Sequence, residues 1–286
     1  MRTLVIDAAA LARNLDRLRR AASARIIGVV KGNGYGLGLT DYARFLTEHG
    51  VDMLAVSTAE EAAALRQAGI AAEVLMLSST AVPRDVAGLL DCGAILTVGS
   101  CAAAETVSAV AVEKGVTARV HVKLDTGMGR FGFLPQDVTE AAALLKSLPS
   151  MRVEGVFTHF ANTADEALTR RQYQQFQEGA ALLERAGIET GLRLLRVSAV
   201  SGDAAGRGAF GLGAAGTAVG AGPTGAGEDR LAGDAGHGAE GLAVWLEGGL
   251  RRRVPHQAAH ASGSAADGLY QRRGSNGGIQ RPAPAG

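Results

Sequence analysis

Ile26-Ile27-Gly28-Val29-Val30-Lys31-Gly32-Asn33-Gly34-Tyr35-Gly36-Leu37-Gly38 is an apolar run that ends on a lysine and breaks at once into a glycine-rich turn. A run of this length, rich in β-branched residues and bounded by glycine, reads as a buried strand. An ammonium held at the end of such a strand is partly desolvated, which lowers its pKa and suits it to Schiff-base chemistry. The glycines let the backbone pass close to a bound group, and Tyr35 lies where it can donate to a phosphate. The same residues also fit a plain strand-end lysine that reaches to water above an ordinary turn.

Working outward, similar apolar runs recur at 26–30, 53–56, 74–77, 95–98, 118–124, 153–157 and 192–197. Helical patterns lie between them, such as 58–69, 100–115 and 167–187, each ending in glycine. Strands that alternate with helices of this length require right-handed crossovers and a parallel sheet. Seven such units predict a parallel βα barrel that lacks its last strand, an α/β fold whose functional groups gather at the C-terminal strand ends. Lys31, Asp125 and His159 all fall at those ends.

The chain has 286 residues, 47% of them apolar, and a formal net charge of +1. That is enough for a sizeable core, and the charge points to neither a nucleic-acid nor a membrane-surface partner. No apolar run reaches the length of a membrane span, and the start has no leader-like apolar stretch, so the expected location is cytoplasmic. Cys92 and Cys101 have no His or Cys partners at metal-ligand spacing, so reduced thiols and no metal are expected.

Two further segments carry chemistry. Val122-Lys123-Leu124-Asp125-Thr126-Gly127-Met128-Gly129-Arg130-Phe131-Gly132 leaves a strand, turns through glycines and presents Arg130, whose planar fork suits a carboxylate. Gly155-Val156-Phe157-Thr158-His159-Phe160-Ala161-Asn162-Thr163-Ala164-Asp165 places His159 at a strand end, where it stacks on a ring, orients an arginine or is simply structural. Asp165 is a candidate cap for the helix that follows.

VVKGNGYGLG, KLDTGMGRFGF and GVFTHFANTADE together resemble the signature segments of the alanine racemase family, over roughly residues 2–195 and in the family's order. The resemblance implies a pyridoxal 5'-phosphate-dependent isomerase that racemises L-alanine to D-alanine for peptidoglycan. Its N-terminal domain would be a βα barrel and its second domain a β-domain. It implies that Lys31 carries the cofactor and acts as a catalytic base, that Tyr35 contacts the phosphate, and that His159 joins the cofactor-ring network. Arg130 would take the substrate carboxylate, and Lys123 matches a lysine that is carbamylated in some members to position that arginine. Family members are homodimers in which a tyrosine from the partner's second domain serves as the base on the opposite face. Leu37 departs from the family's usual histidine, and Gly32 and Gly34 replace usual alanines.

The resemblance stops near residue 195. Residues 1–199 form the expected barrel domain and 200–286 a low-complexity tail with 22 glycines and 19 alanines in its last 86 residues, expected to be largely disordered. Gly211-Leu212-Gly213-Ala214-Ala215-Gly216 mimics a dinucleotide fingerprint, but no apolar strand precedes it and no helical pattern follows. The composition is what an out-of-frame reading of a GC-rich gene produces. A one-base shift permits LDAVRLGSALLG from 205–216, LPSGWKVGYG from 242–251 and VAVLPMGYINGV from 262–273, three segments resembling the family's missing parts in order. Trp245 has a single codon and, followed by Leu246, must become glycine in that frame. The expectation is therefore a racemase ancestry with activity impaired in this chain. The alternatives are an inactive cofactor-binding remnant and a racemase of serine or another small amino acid. A stand-alone pyridoxal-phosphate barrel without a second domain fits KGNGYGLG and LDTGMGRFGF less well.

Overall fold

In the computed structural model, residues 6–21, 25–162, 165–196 and 242–247 are described. The order is α1 (Ala8–Ala21), β1 (Arg25–Val29), α2 (Lys31–Tyr35), α3 (Leu39–Glu48), β2 (Met53–Val56), α4 (Ala59–Gln67), β3 (Glu73–Ser79) and α5 (Pro83–Asp91). There follow β4 (Ile95–Val98), α6 (Cys101–Lys114), β5 (Ala118–Lys123), a short 3-10 turn (Pro135–Asp137), α7 (Val138–Ser147), β6 (Met151–His159), α8 (Glu166–Arg185), β7 (Leu192–Arg196) and β8 (Leu242–Glu247). All pairs are parallel, in registers such as Ile27↔Met53, Leu54↔Val74 and Val122↔Val156, and the sheet closes in sequence order. The chain divides into two compact units, Met1–Arg251 and Arg252–Gly286. The barrel belongs to the first, and the second lies outside the described residues.

The seven strands read from the sequence are β1 to β7. The expected gap at the eighth position needs correction: Leu242–Glu247, from the 200–286 tail, fills it and pairs with β7 at Leu195↔Val244 and with β1 at Ile26↔Val244. A seven-stranded arrangement leaves the edges of β1 and β7 with unpaired backbone groups, and Leu-Ala-Val-Trp-Leu-Glu has the composition to satisfy them. The expectation of disorder for the rest of the tail lies outside the described residues.

Strand alternation sorts side chains into two cores. Ile27, Val29, Met53, Ala55, Leu75, Leu77, Ile95 and Phe157 fill the barrel interior, while Ile26, Leu54, Val74, Leu96, Val120 and Val122 pack outward against the helices. The helices begin on side-chain caps: Thr58 accepts from Glu61 N, Ser100 from Ala103 N, and Asp165 from Leu168 N, the last as the sequence predicts. Among the described residues no helix is long and apolar enough to cross a membrane, and no group of three His, Cys, Asp or Glu is placed to hold a metal. Cys92 and Cys101 are free thiols.

The N-terminal end of the barrel is floored by charge. Arg25 Nε lies 3.0 Å from Asp52 Oδ1, Arg25 Nη2 2.9 Å from Glu73 Oε2 and Arg119 Nε 2.7 Å from Glu154 Oε2, while Arg119 also pairs with Glu73 and Arg152 with Glu154. Burial alone would raise the Glu73 pKa, but the hydrogen bonds from Arg119 and Arg25 outweigh it and hold the carboxyl below its usual range.

His121 sits above this floor, 1% exposed, and its Nδ1 finds no hydrogen-bond partner among the described residues. Burial chiefly, then the nearby Arg119 and Arg25 guanidinia against the opposing Glu73, push its pKa from 6.5 down to about 3. The folded value lies below the unfolded one, so across that window the unfolded chain binds a proton that the folded chain refuses. Stability therefore rises with pH there and falls on acidification. The expected loss is about 2 kcal/mol between roughly pH 8 and pH 5, read by urea unfolding, and His121→Met should remove it. Glu73 and Asp125, whose pKa values are lowered from 4.5 and 3.8, add their own loss only further into acid. An unchanged midpoint across that range in the parent chain would refute the assignment.

Candidate active site

Lys31 stands at the C-terminal end of β1, and the chain then turns through Gly32 (φ 62, ψ 45), Asn33 (φ 55, ψ 47) and Gly34 (φ 63, ψ 32), with Tyr35 at φ 55. What reads locally as α2 is thus a turn of left-handed helix, which costs most side chains 1–2 kcal/mol per residue, but is tolerated by glycine and asparagine. The turn is tied down by Gly34 N donating to Val30 O (2.7 Å), Gly38 N to Asn33 O (3.0 Å) and Leu39 N to Asn33 Oδ1 (2.9 Å). Glu61, on α4, adds a clasp that sequence reading missed. Its Oε1 accepts from Gly32 N at 2.6 Å, and its Oε2 accepts from Ser57 N at 2.9 Å and Ser57 Oγ at 3.2 Å. The residue after the lysine is thereby fixed to the end of β2.

The loop after β5 is organised around Asp125, 4% exposed. Its Oδ1 accepts from Gly127 N (3.0 Å) and Gly129 N (3.1 Å), and its Oδ2 from Arg130 N (3.0 Å). Burial would raise its pKa, but these amides and the Lys123 charge outweigh that and hold the carboxylate ionised. The loop then folds back beside its own strand through Phe133 N to Lys123 O and Asp125 N to Phe133 O, both 2.9 Å. Gly132, at φ 127, makes this return possible, because a Cβ there would lie 2.8 Å from Asp125 N. The spacing of KLDTGMGRFGF is the signature of one carboxylate gathering the turn that carries Arg130.

The structure brings three of the sequence-predicted site residues together. Lys31, Arg130 and His159 line one cavity of ≈ 520 Å³ at the C-terminal strand ends, with Ser57, Ser79, Gly99 and Phe157 among the remaining wall. Its size is that of a small-molecule or cofactor site. His159 is 4% exposed and Arg130 is exposed, its Cζ 5.7 Å from the Phe131 ring centroid. Lys123 does not line the cavity. It is 1% exposed, with Nζ donating to Leu124 O (2.9 Å) and Phe131 O (3.2 Å) and lying 5.2 and 5.8 Å from the Phe131 and Phe157 rings. Tyr35 also stands off the cavity wall. Its half-buried ring packs against the barrel-interior core and its hydroxyl is buried.

The donor set fits pyridoxal phosphate and an amino acid in its chemistry: an amine that can condense with the cofactor aldehyde, an imidazole that can stack on or hydrogen-bond to a ring, and a guanidinium for a substrate carboxylate. Among the lysines, all of them in the described residues, one amine is available for that role. Of the four lysines, Lys114 is 2.8 Å from Asp91, Lys146 donates to Ala186 O on the outer surface, Lys123 is buried beneath the Arg130 loop, and Lys31 alone lines the cavity.

Comparison with known proteins agrees with this geometry. Residues 6–218 match the family model described as alanine racemase, N-terminal domain. The chain is 33% identical over 189 residues to the alanine racemase of Methanococcus maripaludis, covering 64% of this chain and 50% of that one. It is 37% identical over 186 residues to alanine racemase 2 of Caldanaerobacter subterraneus, covering 63% and 47%. Among solved structures, alanine racemase from Streptomyces lavendulae superposes with a TM-score of 0.61 at 32% identity, covering 68% of this chain and 52% of that one. The Clostridium difficile alanine racemase in complex with cycloserine gives 0.62 at 31%, covering 65% and 53%. The chain spans about half the length of the curated relatives it matches. With a matching family model over most of its length and the lysine, arginine and histidine of the three signature segments gathered at one barrel mouth, the chain belongs to the alanine racemase N-terminal domain family.

Proposed function

We propose that this chain binds pyridoxal phosphate at Lys31 and carries one half of an amino-acid racemase active site, with alanine as the ancestral substrate. The single observation that supports this most is the convergence of Lys31, Arg130 and His159 on one cavity. The cycloserine held by the Clostridium difficile relative supports a small amino acid as the ligand class.

Bound pyridoxal phosphate supplies an electron sink that lowers the barrier to removing the substrate's α-proton. Lys31 Nζ would hold the cofactor and would take or return that proton on one face. Arg130 binds the substrate carboxylate, its turn held by Asp125 and backed by Lys123 at the Phe131 carbonyl. His159 would lie beside the cofactor ring, and the resemblance assigns Tyr35 to the phosphate, which requires its buried hydroxyl to turn toward the cavity. A homodimeric, cytoplasmic enzyme feeding D-alanine into peptidoglycan is the setting that the resemblance implies.

Racemisation needs a base on each face, and Lys31 provides one. The tyrosine that serves the opposite face in the family has no counterpart among the described residues, and the shifted-frame match of the tail supports an intact ancestor that carried it. With Lys31 alone, a proton removed on one face is returned to that same face, so exchange does not invert the centre. The purified chain, given pyridoxal phosphate and L-alanine, is therefore expected to form D-alanine no faster than a Lys31→Ala chain, as read by chiral chromatography. A rate in the parent chain that Lys31→Ala abolishes would show that the opposite face is served after all.

A further inference from the structure

Gln172, on α8, is 0% exposed and makes two hydrogen bonds that join separate parts of the site. Its Nε2 donates to Thr126 O at 3.1 Å, in the turn that Asp125 gathers and that ends on Arg130. Its Oε1 accepts from Ala161 N at 3.1 Å, two residues beyond His159. Because one partner is a carbonyl and the other an amide N–H, only one orientation of the Gln172 amide satisfies both. The packing there leaves no slack, since a Cβ at Gly127 would lie 2.8 Å from Gln172 Nε2. Beneath it, Thr126 Oγ1 and Thr158 Oγ1 are 2.8 Å apart and Thr158 Oγ1 donates to Leu124 O at 2.9 Å, so the ends of β5 and β6 are already level.

We propose that Gln172 is a positioning residue that sets the Arg130 turn relative to the His159 segment, and so fixes where a substrate carboxylate sits relative to the cofactor ring. The role in substrate binding rests on the pyridoxal-phosphate reading above; the mechanical coupling does not. A side chain wedged between two loops and bonded to a backbone group of each transmits the place of one to the other, whereas the turn after β1 has its own clasp, from Glu61 to Gly32 N.

Hydrogen–deuterium exchange on the full chain tests the coupling. Gln172→Leu is expected to raise exchange in peptides spanning 125–130 and 160–162 together, with β2 to β4 unchanged. In Gln172→Glu, the ionised carboxylate opposes the Thr126 carbonyl, while the protonated acid reproduces the amide's donor and acceptor. Burial raises a carboxyl pKa toward 8–9, so relative to the parent at the same pH both peptides should loosen near pH 9 and recover near pH 6. That comparison within one folded chain decides the matter even if Gln172→Leu fails to fold. On the pyridoxal-phosphate-loaded chain, spectral titration with L-alanine should weaken about tenfold in Gln172→Leu with cofactor affinity unchanged. Exchange that rises in only one loop, in neither, or without pH dependence in Gln172→Glu overturns the proposal. A chain that takes up no pyridoxal phosphate overturns the cofactor reading, and the exchange result then stands on its own.

Discussion

Lys31→Ala is expected to abolish covalent capture of pyridoxal phosphate outright. Borohydride treatment of the loaded parent chain should reduce the C=N bond to Lys31 and leave one phosphopyridoxyl group on the peptide that contains it. The surroundings of the other three lysines exclude them. Lys123 has its ammonium donating to two carbonyls in a 1% exposed position, which an added ring cannot enter without displacing the Arg130 turn. Lys114 and Lys146 lie on the outer surface, where nothing encloses a cofactor and attachment is no better than for a free amine. Lys146→Ala should therefore leave the mass gain intact, and Lys31→Ala should erase it, as read by intact-mass and peptide mass spectrometry. Equal labelling of Lys31, Lys114 and Lys146 in the parent chain would remove the case for a cofactor site.

The barrel was legible because its strands are short apolar runs bounded by polar or glycine punctuation, and 95–98 appears in the structure with the same limits. That Lys31, Arg130 and His159 would meet at one cavity was legible for a related reason: each follows an apolar run at a strand end or in the loop after it, and a barrel gathers those ends on one face. Gln172 and Glu61 were not, because a polar residue on a helix reads as solvent-facing until the fold shows what lies over it, and periodicity carries no information on loops that return across a helix end. His121 was hidden inside its strand, where nothing in the alternation separates a buried neutral imidazole from a solvent-facing one. β8 was masked by averaging, since one six-residue run with Val244 and Trp245 at its centre vanishes in the composition of an 86-residue glycine- and alanine-rich segment.

That strand sets the second large effect. Val244 pairs with Leu195 on one side and Ile26 on the other, so its backbone N–H lies within a ladder that has neighbours on both sides. A proline there removes the donor and crowds the adjacent strand, and a cost of the order it has in a helix interior, about 3 kcal/mol, is expected. For a domain of this size, that corresponds to a fall of roughly 6–12 °C in Tm. Val244→Pro should show this fall by circular dichroism, with Ala258→Pro, in the Arg252–Gly286 unit, as the control. The physical contest is between two costs. Ordering a six-residue run at the end of a long connection costs loop-closure and backbone entropy, while leaving β1 and β7 unpaired exposes two edges and the barrel interior to water. The connection from β7 to β8 is long, but its closure cost grows only logarithmically with length, so edge pairing and closure of the interior should outweigh it. If Val244→Pro melts with the parent, the tail strand contributes nothing to stability, the barrel is open between β7 and β1, and the chain should self-associate through those edges at raised concentration.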